Sequence, residues 1–197
     1  MATDSFNRAN ESTLAAPWRM GSSAADSVFQ LASSQANPQV NGATKAWAYY
    51  DSTWTGDHYS QGTVGGPQLG FQYIGVGVRM QSTGESGYIF WASAGSYLLQ
   101  RDDAGTLTTL VSTIANSPSG GDVLKLQAVG STLTAWVNGS IVASVSDTTY
   151  STGAPGMVGY GANAVVTIDD WEGVDVGGGG GGGAAFRRGS LPMLGVS

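Results

Sequence analysis

The segment KAWAYYDSTWTGDHYSQG, residues 45–62, places Trp47, Tyr49, Tyr50, Trp54, His58 and Tyr59 within 13 positions. Aromatic faces stack on sugar rings, and nearby polar side chains bond the hydroxyls. Trp54, Asp57, His58 and Tyr59 are therefore candidate glycan-binding residues. A structural role competes with this one. In a strand, Trp47 and Tyr49 would alternate inward as core, while Trp54 and Tyr59 would cap the fold or fill a subunit interface.

Other chemistries find less support. Glycoside hydrolysis needs a pair of carboxylates flanking the scissile bond. The nearest candidate is IDDWE, where alternation puts Asp170 and Glu172 on one face of a strand. The segment reads instead as the polar face of a last strand with Trp171 packed inward. His58 is the only histidine, which excludes a multi-histidine metal site and severely limits a histidine-based triad. With no cysteine there is neither thiolate chemistry nor a disulfide framework. GVGVRM holds a partial GxG, but no helix follows to cradle a phosphate, so Gly75 and Gly77 read as sites of close packing or a bulge. No catalytic or metal-ligating residue is assigned, and the chain is expected not to be an enzyme.

The elements that must position the aromatic segment are strands. FQYIGVGVRMQ (71–81) alternates in period two, with Phe71, Tyr73 and Gly75 on one face and Ile74, Val76, Val78 and Met80 on the other. DDAG turns the chain between residues 96–103 and 106–113. VLKLQAV, TLTAWV and SIVASVSD are joined by Gly130-Ser131 and Asn138-Gly139; Asn-Gly between alternating apolar runs is a strong hairpin signal. Asp147 of SDTT is expected to bond its own backbone. ANESTLAAPW has room for one helical turn at most, stopped by Pro17. Only 11% of residues are charged, and long amphipathic helical windows are absent. Short strands without helical crossovers predict an all-β antiparallel sandwich.

Charge and composition divide the chain into three parts. Residues 1–176 form the body and carry 6 basic and 14 acidic groups, a net −8. Residues 177–183 are seven glycines, a flexible spacer of roughly 15 Å if free. Residues 184–197 carry Arg187 and Arg188 and no acid. An acidic body argues against nucleic-acid binding, and no apolar run approaches the length of a membrane span. The opening MATDSFNRANESTLAAPW lacks the basic and apolar regions of a signal peptide, so release into the cytoplasm is expected. The final segment reads as a docking peptide. Phe186, Leu191, Met193 and Leu194 are its anchors, Arg187 and Arg188 suit an acidic partner, and Pro192 limits flexibility. A disordered tail, or one folded back on its own domain, is the alternative.

Four stretches carry a family resemblance: DSFNRANESTLAAPW, SGYIFWAS…YLLQRDDAGTLTTL, GDVLKLQAVGSTLTAWVNGSIVASVSDTTYSTGAPGMVGYG and VVTIDDWEG. Together they resemble the concanavalin A-like, laminin-G-like jelly-roll domains over residues 4–175. The resemblance implies a jelly-roll β-sandwich with an extended C-terminal tail. Such domains often hold a structural calcium; the loop acids Asp4, Asp57, Asp102, Asp103 and Asp147 are the candidates, none in EF-hand spacing, and no cofactor is assigned. Domains of this kind also recur in bacteriophage virion proteins. That context, the absence of an export signal, the spacer and the apolar tail lead to an expected virion protein: a capsid decoration, head-fibre or tail component. It would be made in the host cytoplasm and anchored through residues 184–197 to the major capsid protein or a neighbouring copy, as a homo-oligomer. The alternative is a carbohydrate-binding module recognising host-surface or environmental glycans.

Overall fold

The computed structural model describes residues 1–21, 28–39, 45–66, 72–111, 114–115, 118–161 and 166–177. The docking segment, and the glycine linker beyond Gly177, lie outside these residues. The strands run β1 (Ala2–Asp4), β2 (Trp18–Met20), β3 (Val28–Ala32), β4 (Gln35–Gln39), β5 (Lys45–Tyr50), β6 (His58–Gly65), β7 (Tyr73–Met80) and β8 (Gly87–Ser93). They continue as β9 (Ser96–Asp103), β10 (Thr106–Thr109), β11 (Ile114–Ala115), β12 (Val123–Val129), β13 (Thr132–Val137), β14 (Ser140–Ser146), β15 (Ala154–Tyr160) and β16 (Thr167–Asp175). Residues 11–17 contain turns and an isolated bridge from Glu11 to Leu31, with no helical turn.

Two antiparallel sheets of eight strands form a sandwich. The first has the order β14-β13-β12-β6-β16-β4-β3, with β1 also on β16; the second has the order β10-β9-β8-β7-β15-β5-β2, with β11 on β9. Hairpins supply the meanders β7–β10 and β12–β14, while β5 with β15 and β6 with β16 join early chain to late chain. Asn138 (φ 51°) and Gly139 (φ 78°) take the left-handed conformations that a tight primed turn requires. Asp147 accepts the Thr149 N–H at 2.8 Å, the local bond its sequence context implies.

Alternation fills the space between the sheets. Leu124, Leu126, Leu133, Ala135 and Ile168 of the first sheet meet Ile74, Val76, Val78, Phe90 and Leu99 of the second. Each large apolar side chain contributes about 1.5–3 kcal/mol on full burial. Trp171 turns inward, where its ring stacks on Tyr50 at 5.3 Å and meets Trp18 at 4.6 Å. Its indole N–H donates to Ser60 Oγ at 2.9 Å, and that hydroxyl donates to the Gly156 carbonyl at 2.8 Å.

The period of β7 breaks at its end. Ile74, Val76 and Val78 face the core, but Met80 packs on the opposite face with Trp47, Ile89, Trp91 and Val158. Arg79 (φ 51°) reverses the alternation, and the pairing with β15 shifts between Ala154 and Gly156. The Arg79 side chain is buried, and its guanidinium donates to three carbonyls: Gly56 at 2.8 Å, Tyr150 at 2.9 Å and Gly130 at 2.6 Å. A fourth contact, to Asp57 Oδ1, is 3.4 Å long. Three separate loops are tied to one side chain at this end of the sandwich.

Candidate ligand-binding site

The outer face of the second sheet is unusually rich in rings. Cross-strand register gives one row Trp47–Val158–Gly75–Trp91–Leu98 and the next Tyr49–Gly156–Gly77–Ile89–Gln100. Tyr73 packs against Trp91 at 4.9 Å and Tyr160 at 5.6 Å between ring centroids. The Trp91 indole donates to Gln100 Oε1 at 2.8 Å, whereas the buried Trp47 indole N–H has no acceptor among the described residues. Glycines form the floor. A Cβ on Gly77 or on Gly156 would lie 2.7 Å from Met80 Sδ, so the thioether rests where side chains are missing. Across this face, the Lys45 ammonium reaches Asp102 at 2.6 Å and Glu85 at 3.1 Å. Burial pushes the Asp102 carboxyl up, against the pull of Lys45. Asp102 also accepts the Gly105 N–H at 2.9 Å, so it forms the β9–β10 turn and anchors an ion triad at once.

At the β5 end of this face lies an open pocket of about 340 Å³. Tyr49, Tyr50, Asp51, Ser52, Thr53 and Trp54 line one side, and Met80, Gln81, Ser82, Gly153 and Ala154 the other. Trp54 is half-buried; its indole donates to the Tyr50 carbonyl at 2.9 Å, and its ring meets Tyr50 edge-on at 6.3 Å. Gln81 is held by bonds from its Nε2 to the Arg79 and Thr152 carbonyls. Asp51 pairs with Arg19 at 2.9 Å, with both side chains exposed. The walls thus hold aromatic faces and polar groups on strand ends already fixed by backbone pairing. The pocket size falls at the lower end of the usual range for small-molecule sites, about 300–1,000 Å³.

The candidate residues from the sequence separate. Trp54 alone of the four lines the pocket. His58 opens β6 and is fully buried: its Nε2 accepts the Arg79 backbone N–H at 3.0 Å, which places the ring proton on Nδ1, bonded to the Thr55 carbonyl at 2.7 Å. Neither nitrogen is left for a ligand, and burial lowers the ring's pKa. Asp57 accepts the Gly130 N–H at 2.8 Å and faces Arg79. Tyr59 lies on the outer face of the other sheet, where its hydroxyl donates to Glu172. Tyr49, Tyr50, Met80 and Gln81 are among the lining residues that the candidate set omits; Tyr49 and Tyr50 belong to the same aromatic segment, and Met80 ends the glycine-bearing run GVGVRM.

The acidic run on β16 also differs from strict alternation. A bulge between Asp169 and Glu172 pairs those two residues with the outward-facing Thr63 and Gln61, and Asp170 (φ 46°) is part of the bulge. Asp170 and Glu172 therefore do not follow from each other by simple alternation. Of the loop acids, Asp4 accepts from the Phe6 N–H, Arg8 and Trp18, and Asp103 from Arg101 and Tyr150. Among the described residues no three His, Asp or Glu side chains converge on one point.

Comparison with protein families finds no match, and no curated protein matches. Solved structures do. The carbohydrate-binding module CBM66 from Bacillus subtilis matches with a TM-score of 0.58 at 12% identity, over 80% of this chain and 90% of that one. A Bacillus subtilis protein of unknown function with a galectin-like fold matches with 0.54 at 10%, over 80% and 88%. LamAcat from Zobellia galactanivorans matches with 0.53 at 10%, over 88% and 95%. At such identities the likeness is one of fold, and that fold is the galectin-like, concanavalin A-like jelly-roll β-sandwich.

Proposed function

We propose that this chain is a carbohydrate-binding domain without catalytic activity, taking a sugar in the pocket between Tyr50, Trp54 and Gln81. One observation carries the reading: three aromatic side chains, a carboxylate, an amide and hydroxyls surround one open pocket of about 340 Å³. Rings supply apolar faces for sugar carbons, and the polar groups supply partners for hydroxyls. The likeness to a carbohydrate-binding module supports the reading at the level of fold. A glycan array tests it. Binding should appear on the array and be lost in Trp54→Ala, with thermal unfolding confirming that the variant still folds. A silent array, or binding that survives in the variant, would refute it.

The organisation of the chain favours a second, compatible reading: the domain is displayed on a bacteriophage particle as a capsid decoration, head fibre or tail component. Seven glycines followed by an apolar, basic segment suit a body held away from its anchor. Deleting residues 184–197 should leave glycan binding intact and abolish incorporation into particles. Unchanged incorporation would remove this reading and leave the first untouched.

A further inference from the structure

The outer face of the first sheet carries a feature that the pocket does not use. In register across six strands run Ile141 (β14), Trp136 (β13), Lys125 (β12), Gln61 (β6), Glu172 (β16) and Thr3 (β1). At about 4.8 Å between strands, this row is about 24 Å long. The next row sets Gln127 opposite Tyr59. At the centre, Lys125 Nζ stands 3.8 Å from the Tyr59 ring centroid and 5.2 Å from that of Trp136. Two rings thus hold one ammonium at a fixed point, half-buried on an open sheet face.

That ammonium makes no ion pair and no hydrogen bond among the described residues. Glu172, the acid in the same row, is two strands away, and its carboxylate accepts the Tyr59 hydroxyl. Burial lowers the Lys125 pKa, and the charge of the Glu172 carboxylate offsets only part of that effect. Gln61 and Gln127, the neighbours of Lys125 and Tyr59, likewise make no side-chain hydrogen bond among the described residues. Beyond Gln61 the surface dips into an open depression of about 400 Å³ bordered by Thr3, Ser5 and Glu172. A pure packing role for Lys125 explains the ring contacts. It does not explain why a positioned cation is flanked by uncommitted amides while the only acid of its row is occupied by a phenol.

We infer that Tyr59, Lys125, Trp136, Gln61 and Gln127 form a second ligand site, on the face opposite the pocket, that takes the carboxylate of an acidic sugar. The ammonium supplies the charge-assisted donor, the exposed part of Trp136 an apolar platform, and the amides partners for ring hydroxyls. This inference does not depend on the Trp54 pocket. Two sites facing away from each other on one sandwich would let a single copy bridge two glycan chains.

Glucuronic acid and glucose differ in a carboxylate against a hydroxymethyl group, so they isolate the role of Lys125. Each is titrated into the full 15N-labelled chain while the indole N–H signals of Trp136 and Trp54 are followed. Glucuronate should move the Trp136 signal with a Kd on the order of 1 mM, and glucose should be weaker there by about tenfold. Lys125→Met should erase that preference and leave the Trp54 signal of the free protein in place, which reports an intact fold. Tyr59→Phe frees Glu172 to compete for the ammonium and should weaken glucuronate at the same signal. Equal responses to the two sugars at Trp136, no response there, or an undiminished preference in Lys125→Met would each overturn the proposal. Failure at Trp136 with a response at Trp54 separates this proposal from the pocket reading.

Discussion

Replacing Arg79 by Met removes the donor that joins three loops. Its guanidinium contacts carbonyls in the segments before β6, between β12 and β13, and between β14 and β15. Hydrogen bonds to charged groups contribute about 1.5–3 kcal/mol each, so the simple sum is about 4.5–9 kcal/mol. That is an upper bound, because carbonyls at the edge of the sandwich regain water when the side chain is shortened. A loss of about 4 kcal/mol is expected, which for a domain of this size lowers Tm by about 8–16 °C. Met keeps the unbranched apolar stem, so the change isolates the head group. Arg79→Lys should recover only part of the loss, because one ammonium does not reproduce a planar fork that reaches three carbonyls. Urea unfolding followed by tryptophan fluorescence measures both variants against the parent, with the m-value checking that the transition keeps its character. A loss under about 1 kcal/mol in Arg79→Met, or full recovery in Arg79→Lys, would show that the three bonds do not organise this end of the fold.

His58 sets a pH limit. Its folded pKa lies below the ordinary 6.5, so as pH falls past 6.5 the unfolded chain takes up a proton that the folded chain refuses. Stability is therefore full above that pH and declines below it; a thermal-unfolding series from pH 8 to 5 should show the decline, reduced in His58→Gln. Equal slopes in the two proteins would mean the imidazole is not held neutral. Gly77→Ala tests the packing beneath Met80, a residue that lines the pocket. The new methyl would stand 2.7 Å from Met80 Sδ, the far end of a flexible side chain. Met80 should move toward the pocket and weaken sugar binding, while crowding against Met80 and the Tyr88 carbonyl, 3.2 Å from the new methyl, should cost about 1–3 kcal/mol of stability. Unaltered binding would separate Met80 from the site.

Where local chemistry decides a feature, the sequence displays it. Asn138-Gly139 makes a primed turn because its dihedrals are accessible to those residue types, and Asp147 closes a loop by a bond to its own neighbourhood. The run 123–146 is therefore readable strand by strand. The end of β7 is not, because a left-handed Arg79 has no local signature; it is held by carbonyls on three loops distant in sequence. Met80 changes faces as a result and becomes part of the pocket. The aromatic segment was visible as a cluster in sequence, but it spans the crossing from β5 in the second sheet to β6 in the first. Trp54 and Tyr59, five positions apart, consequently serve opposite sides of the sandwich. Only the sheet assignment of each strand reveals that, and it is a tertiary property.

The triad of Lys45, Asp102 and Glu85 has a kinetic consequence. Lys45 and Gly105, which it also contacts at 3.3 Å, are 60 residues apart, and β15, β7 and β8 stand between their strands in the sheet. The contact can close only after those strands are in place, β15 among the last of the chain. Interactions absent from the folding transition state act on the unfolding rate and leave the folding rate almost unchanged. The buried triad is thus a brake on opening: in Lys45→Met, stopped-flow refolding should keep its speed while the native protein comes apart faster.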